Sequence, residues 1–163
     1  MGLFIISSDG AITRYPHVQP TVNLETFIVI TWQTDNQAGG TVYYGINDLN
    51  KTADAILNIK GDDEYSLRPQ ITTRHGKYQY YVKLENLSPG TQYKYKVVSD
   101  NTETEVYKFT TSSSDDNFSY RIAVMADNHF HEDTASTQQE ADPFLPIIRS
   151  YDPHLVMILG DVA

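Results

Sequence analysis

The fold is decided by the stretch FIVITWQT, residues Phe27–Thr34. Ile28, Ile30 and Trp32 occupy alternate positions, and β-branched or aromatic residues dominate the stretch. Alternate side chains of a strand lie on the same face of a sheet, and such residues favour strands. The stretch therefore predicts a strand that buries these three side chains on one face.

Similar short stretches follow, separated by turn residues, and the strand-rich region runs from about Val18 to Thr111. The further predicted strands are 41–45, 78–85, 92–97 and 106–110. Tyr93, Tyr95 and Val97 alternate with lysines, so we expect these three side chains to face inward. Regular short strands without helices between them predict a mainly β fold, an antiparallel β-sandwich.

Two apolar runs lie near the C-terminal end, Tyr120–Ala126 and His154–Leu159. They hardly alternate, which is typical of strands covered on both faces in a parallel sheet. Between them, Asp142 and Pro143 suit an N-cap and a first helical residue, and apolar residues then recur at helical spacing. The pattern predicts a βαβ unit, with His154 in a structural role at the start of the second strand.

A carboxylate follows each of these runs. Asp127 comes directly after the first run, with His129 two positions later, and Asp161 follows Gly160 after the second. Ligands bind at the carboxyl ends of strands in open α/β sheets, and mixed carboxylate and imidazole ligands suit Zn, Fe and Mn. We therefore predict that Asp127, His129 and Asp161 are metal ligands. The alternative is that all three belong to ordinary solvated turns.

Composition restricts the partners of the chain. Its 21 acidic and 12 basic residues give a net charge of −9, which argues against nucleic acid or an anionic membrane as the main partner. The chain has no cysteine, so it has neither disulfides nor a Cys-ligated metal. No apolar run is long enough for a membrane span, and the first residues lack the features of a signal peptide.

The segments Ala126–His129 and Tyr151–Asp161 resemble the first two sequence blocks of calcineurin-like metallophosphoesterases. The resemblance implies that Asp127 and His129 bind one ion and that Asp161 bridges two. The later blocks of that family have no counterpart in this sequence. We therefore expect a C-terminally truncated catalytic domain with weak or no metal binding and no appreciable turnover.

The segment Leu87–Tyr93 resembles the tyrosine corner of immunoglobulin-like sandwiches, and Trp32 resembles the core tryptophan of fibronectin type III-like domains. Such a sandwich, followed by a Ser-rich linker and Asp-x-His, resembles purple acid phosphatases. The predicted domains are 1–115, a fibronectin type III-like β-sandwich, and 116–163, the N-terminal fragment of a metallophosphoesterase domain.

This second resemblance implies a parent enzyme that hydrolyses phosphate mono- or diesters with two divalent or trivalent ions, Fe, Zn or Mn. It also favours an extracellular or periplasmic location. The alternative function is a non-catalytic fibronectin type III-like binding or adhesion module with a C-terminal extension. A specific ligand held by residues 1–115 alone would favour that alternative. In either case the open edge of the second sheet offers a route to self-association.

Overall fold

The computed structural model describes residues 12–60, 78–126 and 144–159 of the 163-residue chain. In these ranges the elements follow the order β1 (Ile12–Gln19), β2 (Ile28–Thr34), β3 (Thr41–Gly45), β4 (Lys51–Asp54), β5 (Ile56–Lys60), β6 (Tyr78–Leu84), β7 (Gln92–Ser99), β8 (Thr102–Glu103), β9 (Tyr107–Thr110), β10 (Ile122–Ala126), α1 (Phe144–Ser150) and β11 (Leu155–Leu159). The chain divides into two compact units, Met1–Ser114 and Asp115–Ala163.

Two antiparallel sheets form the first unit. One sheet has the strand order β1-β2-β6-β5, and the other has the order β4-β3-β7-β8 with β9 also paired to β7. The chain passes from one sheet to the other between β4 and β5, where the Ala55 N–H donates to the Gly40 carbonyl at 2.8 Å. The predicted mainly β, antiparallel sandwich is confirmed.

The core of this unit lies between the two sheets. Its buried hydrophobic residues are Ile28, Ile30, Trp32, Val42, Tyr80, Val82, Leu84, Leu87, Tyr93, Tyr95, Val97 and Phe109. Trp32 is fully buried and stacks on Tyr80, its partner on the neighbouring strand, with ring centroids 5.8 Å apart. A Cβ on Gly40 would come within 2.9 Å of the Trp32 ring, so glycine suits this close approach. The inward faces predicted for β2 and β7 are confirmed.

The tyrosine corner is present at the turn before β7. The Ser88 N–H donates to the Tyr93 hydroxyl oxygen at 2.9 Å, as the sequence predicted. Thr111 holds the other side of the turn, because its hydroxyl donates to the Ser88 carbonyl and accepts from the Thr91 N–H. Side-chain hydrogen bonds therefore fix this turn to the start of β7 and to Thr111, the residue that follows β9.

Strand β1 begins earlier than the sequence pattern indicated. It starts at Ile12, although the predicted strand-rich region began near Val18, and it includes Pro16. Proline cannot donate a backbone hydrogen bond, but it is tolerated on an edge strand. The pairing of β1 with β2 has register shifts around Arg14 and His17, which allow Pro16 at this edge. The short strands β4, β5 and β8 were also missing from the prediction.

The second unit contains β10, α1 and β11 in that order along the chain. β10 pairs parallel with β11, from Ile122 opposite Leu155 to Ala126 opposite Leu159. The helix ends at Ser150, and Asp152, which directly precedes Pro153, has a backbone φ of 45°. The proposed helix-starting residues, Asp142 and Pro143, lie outside the described residues.

The apolar side chains of these two strands are less covered than the sequence indicated. The uninterrupted apolar runs predicted strands buried on both faces, but Val124 is 58% exposed and Met157 is 41% exposed. A single pair of strands presents two broad faces, and one seven-residue helix is too short to cover both. Prediction of the strands was therefore correct, whereas the expected burial was wrong for these positions.

Candidate functional site

The three residues predicted to bind metal are Asp127, His129 and Asp161, and all three lie outside the described residues. Their role as ligands stays a prediction. The described residues that precede them in sequence are the ends of β10 and β11.

The strands β10 and β11 end in register. Ala126, the last residue of β10, pairs with Leu159, the last residue of β11. Asp127 is the next residue after Ala126, and Asp161 comes two residues after Leu159. Both strands thus end at the same edge of the sheet, which is the edge where ligands bind in parallel α/β sheets.

The opposite ends of the same two strands are fixed by His154. Its Nδ1 accepts a hydrogen bond from the Arg121 backbone N–H at 3.0 Å, and its ring packs edge-on against Phe118 with centroids 5.0 Å apart. The Arg121 guanidinium also bonds the carbonyl and carboxylate of Asp152. These contacts hold the segments that enter β10 and β11 together, which is the structural role predicted for His154.

Within residues 12–60, 78–126 and 144–159, no group of three His, Cys, Asp or Glu side chains is close enough to hold a metal ion. Over the same ranges, no helix has both the length and the apolar content needed to cross a membrane.

A groove that the sequence did not reveal lies in the first unit. It has a volume of about 360 Å³, and its lining residues are Ile12, Tyr15, Thr102, Glu103, Thr104, Glu105 and Tyr107. We call it the Tyr15–Tyr107 groove. Strand β1 lies far in sequence from the β8–β9 segment, so no local motif indicates that they meet.

Tyr107 at this groove and Tyr95, whose ring packs against it, both have a raised pKa. Burial raises the pKa of Tyr95 to about 12, and the neighbouring Tyr107 adds to the rise. Burial also raises the pKa of Tyr107, with further contributions from Glu105 and Tyr15. Each phenol is harder to ionise because a phenolate would lose solvation and face other negative groups. Both hydroxyls therefore remain neutral donors at physiological pH.

Among solved structures, the chain is similar to the purple acid phosphatase PPD1 from yellow lupin (Lupinus luteus) seeds. The two share 18% identity with a TM-score of 0.51, and the match covers 70% of this chain and 22% of the lupin chain. This likeness supports the fold. The present chain thus spans only about a fifth of the lupin enzyme's length.

Two further structural likenesses are more distant. A computationally redesigned β-sandwich protein has 25% identity and a TM-score of 0.37, with 64% of this chain and 96% of that chain covered. Vertebrate Astrotactin-2 has 12% identity and a TM-score of 0.44, with coverages of 83% and 28%. Neither carries an inference about function. A comparison with curated proteins gave no match.

The sequence itself provides the decisive comparison. Residues 14–111 match the family described as Purple acid Phosphatase, N-terminal domain. The matched segment runs from β1 to the end of β9, and it includes both sheets and the tyrosine corner. The chain belongs to the purple acid phosphatase N-terminal domain family.

Proposed function

We propose that the chain is the N-terminal portion of a phosphoesterase that hydrolyses phosphate mono- or diesters with two metal ions. On this proposal the β-sandwich precedes the catalytic domain, and the second unit supplies the first strands of that domain. The family match over residues 14–111 supports a phosphoesterase parent. The activity and the substrate class belong to the proposal.

The observation that carries the proposal is the shared end of β10 and β11. Because Ala126 pairs with Leu159, the backbone leaves both strands at one edge, just before Asp127 and Asp161. A register shifted by several residues would separate these two carboxylates along the sheet, at about 3.3 Å per residue. The observed register therefore supports a shared metal site at this edge.

Asp127, His129 and Asp161 are the residues that would hold the metal. In a dinuclear site the ions would activate water for attack on phosphorus and neutralise the phosphoryl oxygens. Three protein ligands are few for two ions, since even a catalytic zinc site with one ion uses three. We therefore expect the 163-residue polypeptide to bind metal weakly and to hydrolyse phosphoesters without measurable turnover.

Calorimetric titration of the polypeptide with Zn²⁺ or Mn²⁺ tests the ligand assignment. Asp127→Asn and Asp161→Asn should each weaken binding by at least about tenfold, because each removes a charged ligand. Asp116→Asn is the matched control, since Asp116 is an exposed carboxylate of the same unit. Equal binding by all three variants would contradict the ligand assignment.

A phosphatase assay with p-nitrophenyl phosphate tests the turnover statement separately. We expect no hydrolysis above background with either metal. Metal-dependent hydrolysis that Asp127→Asn abolishes would overturn the expected lack of turnover, while it would support the phosphoesterase assignment.

A further inference from the structure

We propose that the Tyr15–Tyr107 groove binds a small organic cation, an ammonium or guanidinium group. Its volume of about 360 Å³ lies in the range of about 300–1,000 Å³ that small-molecule sites occupy. Its lining combines two aromatic rings with two carboxylates. The groove shares no residue with the proposed metal site, so this inference is independent of the proposed hydrolysis.

The aromatic rings of Tyr15 and Tyr107 provide surfaces that attract a cation. Tyr107 is held in place by Tyr95, with ring centroids 5.5 Å apart and the planes tilted by 42°. Tyr15 contributes to the same groove and is 70% exposed. The face of a tyrosine ring attracts ammonium and guanidinium groups within about 6 Å of its centre. One ring of the pair is thus preorganised, and the other is open to a ligand.

Glu105 supplies negative charge to the groove and forms no ion pair with any residue that the structure describes. The other carboxylate of the groove, Glu103, forms an ion pair with Lys96 at 2.6 Å. Among the described residues, no lysine, arginine or histidine pairs with Glu105. Glu105 also contributes to the raised pKa of Tyr107, so its charge acts at the tyrosine hydroxyl. A cation in the groove would therefore meet an unneutralised carboxylate beside an aromatic face.

Thr104 holds the segment that carries both glutamates. Its hydroxyl accepts from the Val97 N–H at 3.0 Å and donates to the Glu105 carbonyl at 2.9 Å. Its backbone N–H donates to the Val97 carbonyl at 3.0 Å. These bonds fix residues 103–105 to β7. This side of the groove is therefore already ordered, and binding a ligand there costs little conformational entropy.

The first test compares choline with 3,3-dimethyl-1-butanol, its uncharged analogue of similar shape. Each is titrated into the whole ¹⁵N-labelled chain at constant ionic strength, and arginine amide is titrated as a guanidinium probe. We expect choline or arginine amide to shift the amides of Tyr15, Glu105 and Tyr107, and the alcohol to bind at least about fivefold more weakly. Whichever cation binds more tightly identifies the preferred headgroup. No shift with either cation, or equal binding of the alcohol, would overturn the proposal.

The second test uses matched variants. Tyr15→Ser and Glu105→Gln should each weaken the tighter cation by about twofold to fivefold. Tyr151→Ser is the control for the first, since Tyr15 and Tyr151 are both 70% exposed, and Glu85→Gln is the exposed-glutamate control. Preserved amide dispersion shows that each variant is folded. Binding that is unchanged in the groove variants, or equally weakened in the controls, would contradict the proposed site.

Discussion

The two units of the chain differ in how completely they bury their apolar side chains. In the described ranges, every buried hydrophobic residue belongs to the first unit, while Ile122, Val124 and Met157 of the second are at least 41% exposed. The sandwich has two sheets that cover each other, whereas β10 and β11 form a sheet of two strands. An apolar run thus specifies a strand, but a second layer is needed to bury its side chains.

The largest expected effect comes from a matched pair of leucines. Leu84 is buried in the sandwich, and Leu155 is half-buried in β11. Leu84→Ala should lower the free energy of unfolding of the sandwich by about 2–5 kcal/mol, because it leaves a cavity in a packed core. Leu155→Ala should change the free energy of unfolding of the sandwich by less than about 0.5 kcal/mol. Urea unfolding followed by the fluorescence of Trp32, the single tryptophan, measures both values.

Equal losses in the two leucine variants would contradict this difference between the units, because they would mean that both units share one cooperative core.

The next effect is the loss of sandwich stability at high pH. Tyr95 has a folded-state pKa of about 12, raised from 10.0 by burial and then by Tyr107. Between pH 10 and 12 the unfolded chain ionises this phenol while the folded chain keeps it neutral, so stability falls as pH rises. The full contribution is about 2–3 kcal/mol, present below pH 10 and lost by pH 12.

Unfolding in urea at pH 9 and pH 11.5 measures this loss, and Tyr95→Phe should reduce it because phenylalanine does not ionise. A loss of the same size in wild type and Tyr95→Phe would assign the effect to other groups.

The smallest effect distinguishes two tyrosines inside the sandwich. The Tyr93 hydroxyl accepts from the Ser88 N–H, whereas the buried Tyr80 hydroxyl has no hydrogen-bond partner in the structure as described. Tyr93→Phe should cost about 1 kcal/mol, and Tyr80→Phe should be neutral or stabilising by up to about 1 kcal/mol. Thermal unfolding of both variants measures the difference. A larger loss for Tyr80→Phe would indicate an ordered partner for its hydroxyl.

The sequence predicted those parts of the fold that depend on local alternation. Ile28, Ile30 and Trp32 were assigned to the inward face because alternate positions of a strand share a face, and all three are buried. The Tyr93 corner was recognisable because its turn and its tyrosine are adjacent in sequence. Strand β1 was only partly recognised because Pro16 interrupts its pattern. Pro16 is acceptable because β1 lies at the edge of its sheet, and the edge position of a strand cannot be read from its own sequence.

Features that depend on distant segments could not be predicted in the same way. The exposure of Val124 depends on which layers cover β10, and the run of apolar residues contains no information about that. The Tyr15–Tyr107 groove joins β1 to the β8–β9 segment across the sandwich, with no spacing that marks it. Asp127, His129 and Asp161 were predicted to bind metal from the sequence alone, and that role stays a prediction.

The most direct test of the proposed metal edge is paramagnetic broadening of amide resonances by Mn²⁺. The two ends of each five-residue strand lie about 13 Å apart. We expect Mn²⁺ to broaden Ala126 and Leu159 strongly and Ile122 and Leu155 weakly, with the effect lost in Asp127→Asn. Equal broadening at both ends of the strands, or broadening that persists in Asp127→Asn, would contradict a metal site at this edge.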